Sequence, residues 1–135
     1  EEEAEIFVGS KGLKAAYIRM FGETPSVGEW VFLYLHRKEY AKESDIFYKG
    51  MLTWLKTKRP ERGIANEEYR GSKVVFKTVK MRYVNFPIPG NIELFQEKIM
   101  IVSWSTKPVA FLIKSKEISD TKKEYFESVW KIAKK

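Results

Sequence analysis

Between Asn91 and Ile113 the chain reads NIELFQEKIMIVSWSTKPVAFLI. Three apolar runs, Ile92–Phe95, Lys98–Trp104 and Pro108–Ile113, are cut apart by the polar breaks Gln96–Glu97 and Ser105–Lys107. Runs this short, rich in Ile, Val, Phe and Trp and bounded by turn residues, predict three adjacent strands of an antiparallel meander. The middle run, Ile99-Met100-Ile101-Val102, has no polar alternation, so both of its faces are expected to be covered. Helices of the chain would cover one face. A second copy of the domain is expected on the other.

The rest of the chain supplies the helical layer. Ala4–Val8 reads as a short strand, and Gly9-Ser10-Lys11-Gly12 as a turn in which Ser10 caps a helix. That helix carries Leu13, Ala16, Tyr17, Met20 and Phe21 on one stripe and stops at Gly22. Glu29–Leu35 is a second, continuously apolar strand, and strand, helix and strand together predict a right-handed parallel crossover. A second helical pattern runs from Tyr40 to about Lys58, with Tyr40, Phe47, Met51, Trp54 and Leu55 on one side. Ile64-Ala65 is too short to predict a strand. In Ser72–Val84 the alternation favours a strand at Val79–Val84 and leaves Val74-Val75-Phe76 undecided. Phe86-Pro87-Ile88-Pro89-Gly90 must be extended. After the meander, Ser115 caps a last helix to about Ala133, with Ile118, Tyr125, Phe126, Val129, Trp130 and Ala133 on its apolar side. The expected class is α/β: a mixed sheet with helices packed on it, a parallel N-terminal part and an antiparallel C-terminal meander.

Length and composition agree with one domain. At 135 residues, 44% hydrophobic and 15% aromatic, the chain can bury roughly 68% of its unfolded surface. No apolar run approaches the ~20 residues of a membrane span. The acidic start Glu1-Glu2-Glu3 is unlike a signal peptide, which predicts a cytoplasmic protein. Without cysteine and with a single histidine, thiolate metal sites and a cysteine nucleophile are excluded, and no metal or other cofactor is expected. A net charge of +7 favours an acidic partner, and a basic run at Lys56, Lys58, Arg59 and Arg62 is the candidate nucleic-acid surface. The lysine-rich excess reads first as a solvated surface.

Topology gives a second candidate. Parallel strands bring their C-terminal loops to one edge, where open α/β sheets bind ligands, and this would gather Ser10, Lys11, His36, Arg37, Asn66 and Glu67. The strand-to-helix turn at Gly9–Gly12 also has the form of an anion contact.

The last third carries a family resemblance. Phe86-Pro87-Ile88-Pro89, the hairpin strand Lys98–Trp104, Pro108-Val109-Ala110, Lys116-Glu117-Ile118 and Tyr125-Phe126-Glu127 with Trp130 resemble the C-terminal domain of archaeal TrmB-like transcriptional regulators. Arg82-Tyr83, Asn66–Arg70 and Glu5-Ile6-Phe7 extend the likeness backwards. The resemblance implies a phospholipase D-like fold used as a sensor and dimerisation module, with DNA bound by a winged helix-turn-helix that this chain is not expected to contain. That family favours Gly-Asp between the hairpin strands. Gln96-Glu97 stands there instead, so the tight turn is expected to be lost.

Phosphodiesterases of the phospholipase D type place H-x-K-x-x-x-x-D along a strand. His36-Arg37-Lys38 with Glu43 matches the spacing, but the segment leads into a helix. Counting back from Glu97 puts Gly90 and Ile92 at the His and Lys places, where neither can serve as nucleophile or phosphate ligand. The expected function is therefore a non-enzymatic effector-sensing domain of a regulator, forming a homodimer and taking a small-molecule effector. A phosphodiesterase or nuclease, and direct nucleic-acid binding, are the alternatives.

Overall fold

A computed structural model describes residues 2–22, 27–56, 58–71 and 78–135. The described elements run β1 (Glu3–Val8), α1 (Gly9–Phe21), β2 (Trp30–Tyr34), α2 (Ala41–Trp54), β3 (Arg62–Asn66), β4 (Lys80–Val84), β5 (Ile92–Phe95), β6 (Lys98–Ser103), β7 (Val109–Lys114) and α3 (Lys116–Ile132). The strands form one sheet in the order β1-β7-β6-β5-β2-β3-β4. β2, β3 and β4 are parallel, while β5, β6 and β7 form the antiparallel meander. The run Val74-Val75-Phe76 lies outside the described residues.

Three local expectations change. β1 and β2 run in the same direction, but β7, β6 and β5 lie between them, so α1 bridges distant strands. Short as Ile64-Ala65 looked, β3 is a five-residue strand, buried at Gly63, Ile64 and Ala65 and paired on both sides. Its neighbours supply the ladder that local propensity did not. The hairpin turn also stays tight: Phe95 pairs with Lys98 across a two-residue link, and Gln96 takes the left-handed region at φ 55 that glycine would occupy more easily.

The helices end where the chain's chemistry ends them. α1 begins at Gly9 with no side-chain cap, and Ser10 lies inside its first turn. At its other end Gly22 closes the helix at φ 65, and Lys98 Nζ donates to the Met20 carbonyl at 2.7 Å. α2 stops at Trp54, short of Lys58, where the Arg59 guanidinium caps the carbonyls of Leu52 and Leu55. Ser115 does cap α3, accepting from Ile118 N at 3.2 Å. Ser119 Oγ adds a bond to the Gln96 carbonyl, tying the start of α3 to the β5–β6 turn.

Both faces of the meander are covered from within the chain. On one side Met100 and Val102 pack with Leu13, Ala16, Tyr17 and Met20 of α1 and Met51 of α2. On the other, Ile99 packs with Ile92, Leu94 and the Phe126 and Val129 side chains of α3. The second cover expected from another copy is thus α3 itself. Ile118 and Tyr125, placed by periodicity on the buried side of α3, are 38% and 37% exposed. What stays bare on the α3 face is its β1–β7 end, where Ile6 and Phe111 are register partners, with Val8 two residues on.

Candidate functional site

β2 is the strand at which the sheet changes from antiparallel to parallel, with β5 on one side and β3 on the other. Beyond its C-terminal end the backbone is held by side chains of both neighbours. From β3, Asn66 accepts from His36 N through Oδ1 at 2.7 Å and donates through Nδ2 to the His36 carbonyl at 2.8 Å. From the residue just before β5, Asn91 Oδ1 accepts from Leu35 N at 2.8 Å. The two chains approach closely here, since a Cβ on Gly90 would lie 2.3 Å from Leu35 Cβ. The His36 ring sits between Tyr34 and Tyr69, with centroids 6.0 and 5.4 Å away, and its Nδ1 is buried without a hydrogen bond among the described residues.

The predicted rim is therefore only partly assembled. His36 and Asn66 meet directly. Glu67 is turned to Arg70, which donates to it at 2.7 Å and holds its carboxyl below the ordinary range. Arg37 is exposed in the turn before α2. Ser10 and Lys11 stand at the end of β1, four strand steps and roughly 19 Å from β2. They belong to no common crevice with His36.

The basic run fares differently again. Arg59 caps α2, and Lys58 pairs with Glu61 at 2.7 Å. Arg62 makes two forked pairs, to Glu29 at 2.7 Å through Nε and Nη2, and to Glu127 at 2.9 and 2.6 Å through Nη1 and Nη2. Its guanidinium also lies 5.1 and 5.0 Å from the Phe126 and Trp130 ring centroids. These hydrogen bonds, the one to Glu127 first, raise the Arg62 pKa further and lower that of Glu127. Of the four cations, Lys56 alone is exposed.

Beneath the His36–Asn66 rim, on the α1/α2 face, lies a group that sequence reasoning missed. Glu93 on β5 is 6% exposed. Its carboxylate accepts from Trp30 Nε1 at 2.9 Å and from the Tyr17 hydroxyl, which in turn meets Tyr48 OH at 3.0 Å. Two donors favour the ionised form, but no cation faces Glu93 among the described residues, and desolvation carries its pKa well above the usual carboxylate range. Burial likewise raises the Tyr34 phenol, against a hydrogen bond with Ser44 Oγ at 2.8 Å. A partly open cavity of about 40 Å³ adjoins Glu93 and Asn91, walled by Trp30, Phe32, Tyr34, Asp45, Tyr48 and Tyr69 among others. Phe32 reaches it across Gly63, where a Cβ would lie 2.3 Å from the ring. The available signal was Glu93 itself, an acidic residue inside an otherwise apolar strand.

The catalytic pattern fails in every frame. His36 lies past β2, Lys38 in a turn, and Glu43 exposed in the first turn of α2. Gly90 and Ile92 are the packing residues at the mouth of β5, and on its other face the alternate positions are Asn91 and Glu93. Among the described residues no group of three His, Asp or Glu side chains is placed to hold a metal ion.

No family model matches the sequence, and no curated protein matches it. Solved structures do. The Nuc protein of Salmonella typhimurium, a phospholipase D family member, superposes with a TM-score of 0.69 at 9% identity, over 99% of this chain and 97% of Nuc. The chain has a phospholipase D-like fold. NucT from Helicobacter pylori gives 0.62 at 10% identity, over 98% of each chain. TrmBL2, an archaeal chromatin protein with a novel mode of DNA binding, gives 0.58 at 16% identity over the whole of this chain, which spans 55% of TrmBL2. No helix among the described residues is long and apolar enough to cross a membrane.

Proposed function

We propose that this chain is a non-catalytic sensing and pairing domain of a DNA-associated regulator, built on the phospholipase D-like fold. The observation that carries the reading is β5. There Gly90, just before the strand, and Ile92 stand where phosphodiester chemistry needs His and Lys, with Asn91 and Glu93 on the other face. The single histidine supports this from the other side, because its backbone is pinned by Asn66 in a segment that turns into α2. The likeness to TrmBL2, over about half that protein's length, supports a place beside DNA through a further domain. In that arrangement a ligand shifts the geometry of a homodimer and hence the spacing of two attached DNA readers.

The pairing surface we assign is the bare β1–β7 end of the α3 face. Ile6 and Val8 are 65% and 52% exposed there, beside Phe111 at 37%. Light scattering behind size exclusion is expected to give a dimer that Phe111→Glu converts to monomer. A chain that stays monomeric at high concentration sinks the pairing.

A phosphodiesterase is the competing reading, favoured by the near-complete overlap with Nuc. Hydrolysis of a generic phosphodiester that vanishes in His36→Ala would establish it. The expected result is no hydrolysis by either form.

A further inference from the structure

The cavity beside Glu93 exposes an apolar surface, although polar residues stand around it. Its walls include Trp30, Phe32, Tyr34, Tyr48, Met51 and Pro60, and nearly all of the surface they present to it is apolar. The polar atoms behind that surface are turned to other partners. Glu93 accepts from Trp30 Nε1 and the Tyr17 hydroxyl, Asn91 Oδ1 accepts from Leu35 N, Tyr34 OH meets Ser44 Oγ, and Tyr48 OH meets Tyr17 OH. Burial favours the neutral Glu93 carboxyl besides. The other acidic residue of the wall, Asp45, is only half-buried and keeps its access to solvent. Water entering this space finds few of the roughly two to four polar partners that hold a buried water. An ion finds still less to replace its hydration.

We propose that this cavity binds an uncharged alkyl group, the apolar end of a ligand whose remainder leaves through the mouth. This rests on the reading of the domain as a ligand sensor. Size sets the group. Benzene fills an engineered apolar cavity of about 150 Å³, or about 25 Å³ per carbon, so about 40 Å³ admits about two carbons. The rings and the Met51 side chain offer such a group dispersion contacts on several sides, and burying it removes apolar surface from water. Because the polar atoms of the wall keep their own partners, no hydrogen bond has to break when the group enters. The site is in that sense already formed.

Ethane and methylammonium have the same number of heavy atoms and nearly the same shape, and differ in charge. The folded chain is titrated with each, ethane under pressure, while the Met51 methyl and Trp30 indole N–H resonances are followed by NMR. Met20 and Met100 are internal controls, since they are buried in the same core as Met51 and do not line the cavity. Ethane is expected to shift Met51 and Trp30 along a saturating curve with a Kd of about 10 mM, near the ceiling for so small a ligand. Methylammonium is expected to bind at least about tenfold more weakly. Equal or tighter binding of methylammonium, a response still linear at the highest ethane pressure, or shifts as large at Met20 and Met100 as at Met51 overturns the proposal. Those failures leave the sensing reading standing if the dimer is intact and no phosphodiester is cleaved, whereas cleavage removes that reading whatever ethane does.

Discussion

The two faces of the sheet are built from different materials. Under α3 the core is Val31, Leu33, Ile64, Leu94, Ile99, Phe126 and Val129, with charge at its margin in the Arg62 clasp and in Arg82, which lies over Trp130. Under α1 and α2 the packing is aromatic and carries buried polar atoms: the Glu93 carboxyl, the hydroxyls of Tyr17, Tyr34 and Tyr48, and a cavity. Apolar burial stabilises without conditions, whereas a buried carboxyl costs free energy wherever it must ionise. One face secures the fold. The other gives up stability for a buried carboxyl beside a small, mostly apolar cavity.

The largest test of that contrast is Phe126→Ala, which empties the centre of the α3 face. It is expected to cost about 3–5 kcal/mol in denaturant unfolding. A loss under ~1 kcal/mol would mean that α3 does not secure the fold. Next is Arg62→Ala, which parts α3 from β3 and from Glu29. Its partners are part-exposed, so solvent screening holds the expected loss to about 1–2 kcal/mol. Because Glu127 is depressed by its hydrogen bond to Arg62, this contribution is present above the unfolded carboxylate range and fades as acid protonates it. A salt and pH series on wild type and variant reads both effects.

Ser115→Ala removes the α3 cap and should cost about 1 kcal/mol. The smallest change in stability is expected on the other face, and its sign depends on pH. With the Glu93 pKa raised in the folded state, the unfolded chain releases its proton first as pH rises. Wild-type stability therefore declines upward from the normal carboxylate range until the folded-state group titrates. Glu93→Gln should flatten that slope and be relatively more stable at neutral than at acid pH. Parallel thermal-melt profiles across pH for the two proteins would refute a buried, protonated Glu93.

Much of the fold was legible because periodicity is local. The stripe Leu13, Ala16, Tyr17, Met20 and Phe21 is buried as spaced, and the three apolar runs after Asn91 are β5, β6 and β7. Periodicity misplaced Ile118 and Tyr125, because which side of α3 is buried depends on where the helix crosses the sheet. The site was less legible. His36 and Asn66 meet because β2 and β3 pair in parallel, and Ser10 and Lys11 fall away because three strands insert between β1 and β2. Lys58, Arg59 and Arg62 look like a patch in sequence, yet each is turned to a different partner.

By itself, then, the sequence determined the class, the helical stripes, the Ser115 cap and the meander, since each depends on residues within a few positions of one another. Only the tertiary structure decided that α3 covers the meander's second face and that Glu93 of β5 faces Tyr17 and Trp30. Strand order sets those contacts, and strand order is fixed by the joint packing of both faces. A linear pattern records which residues are apolar. It does not record which distant residue an acidic side chain will meet.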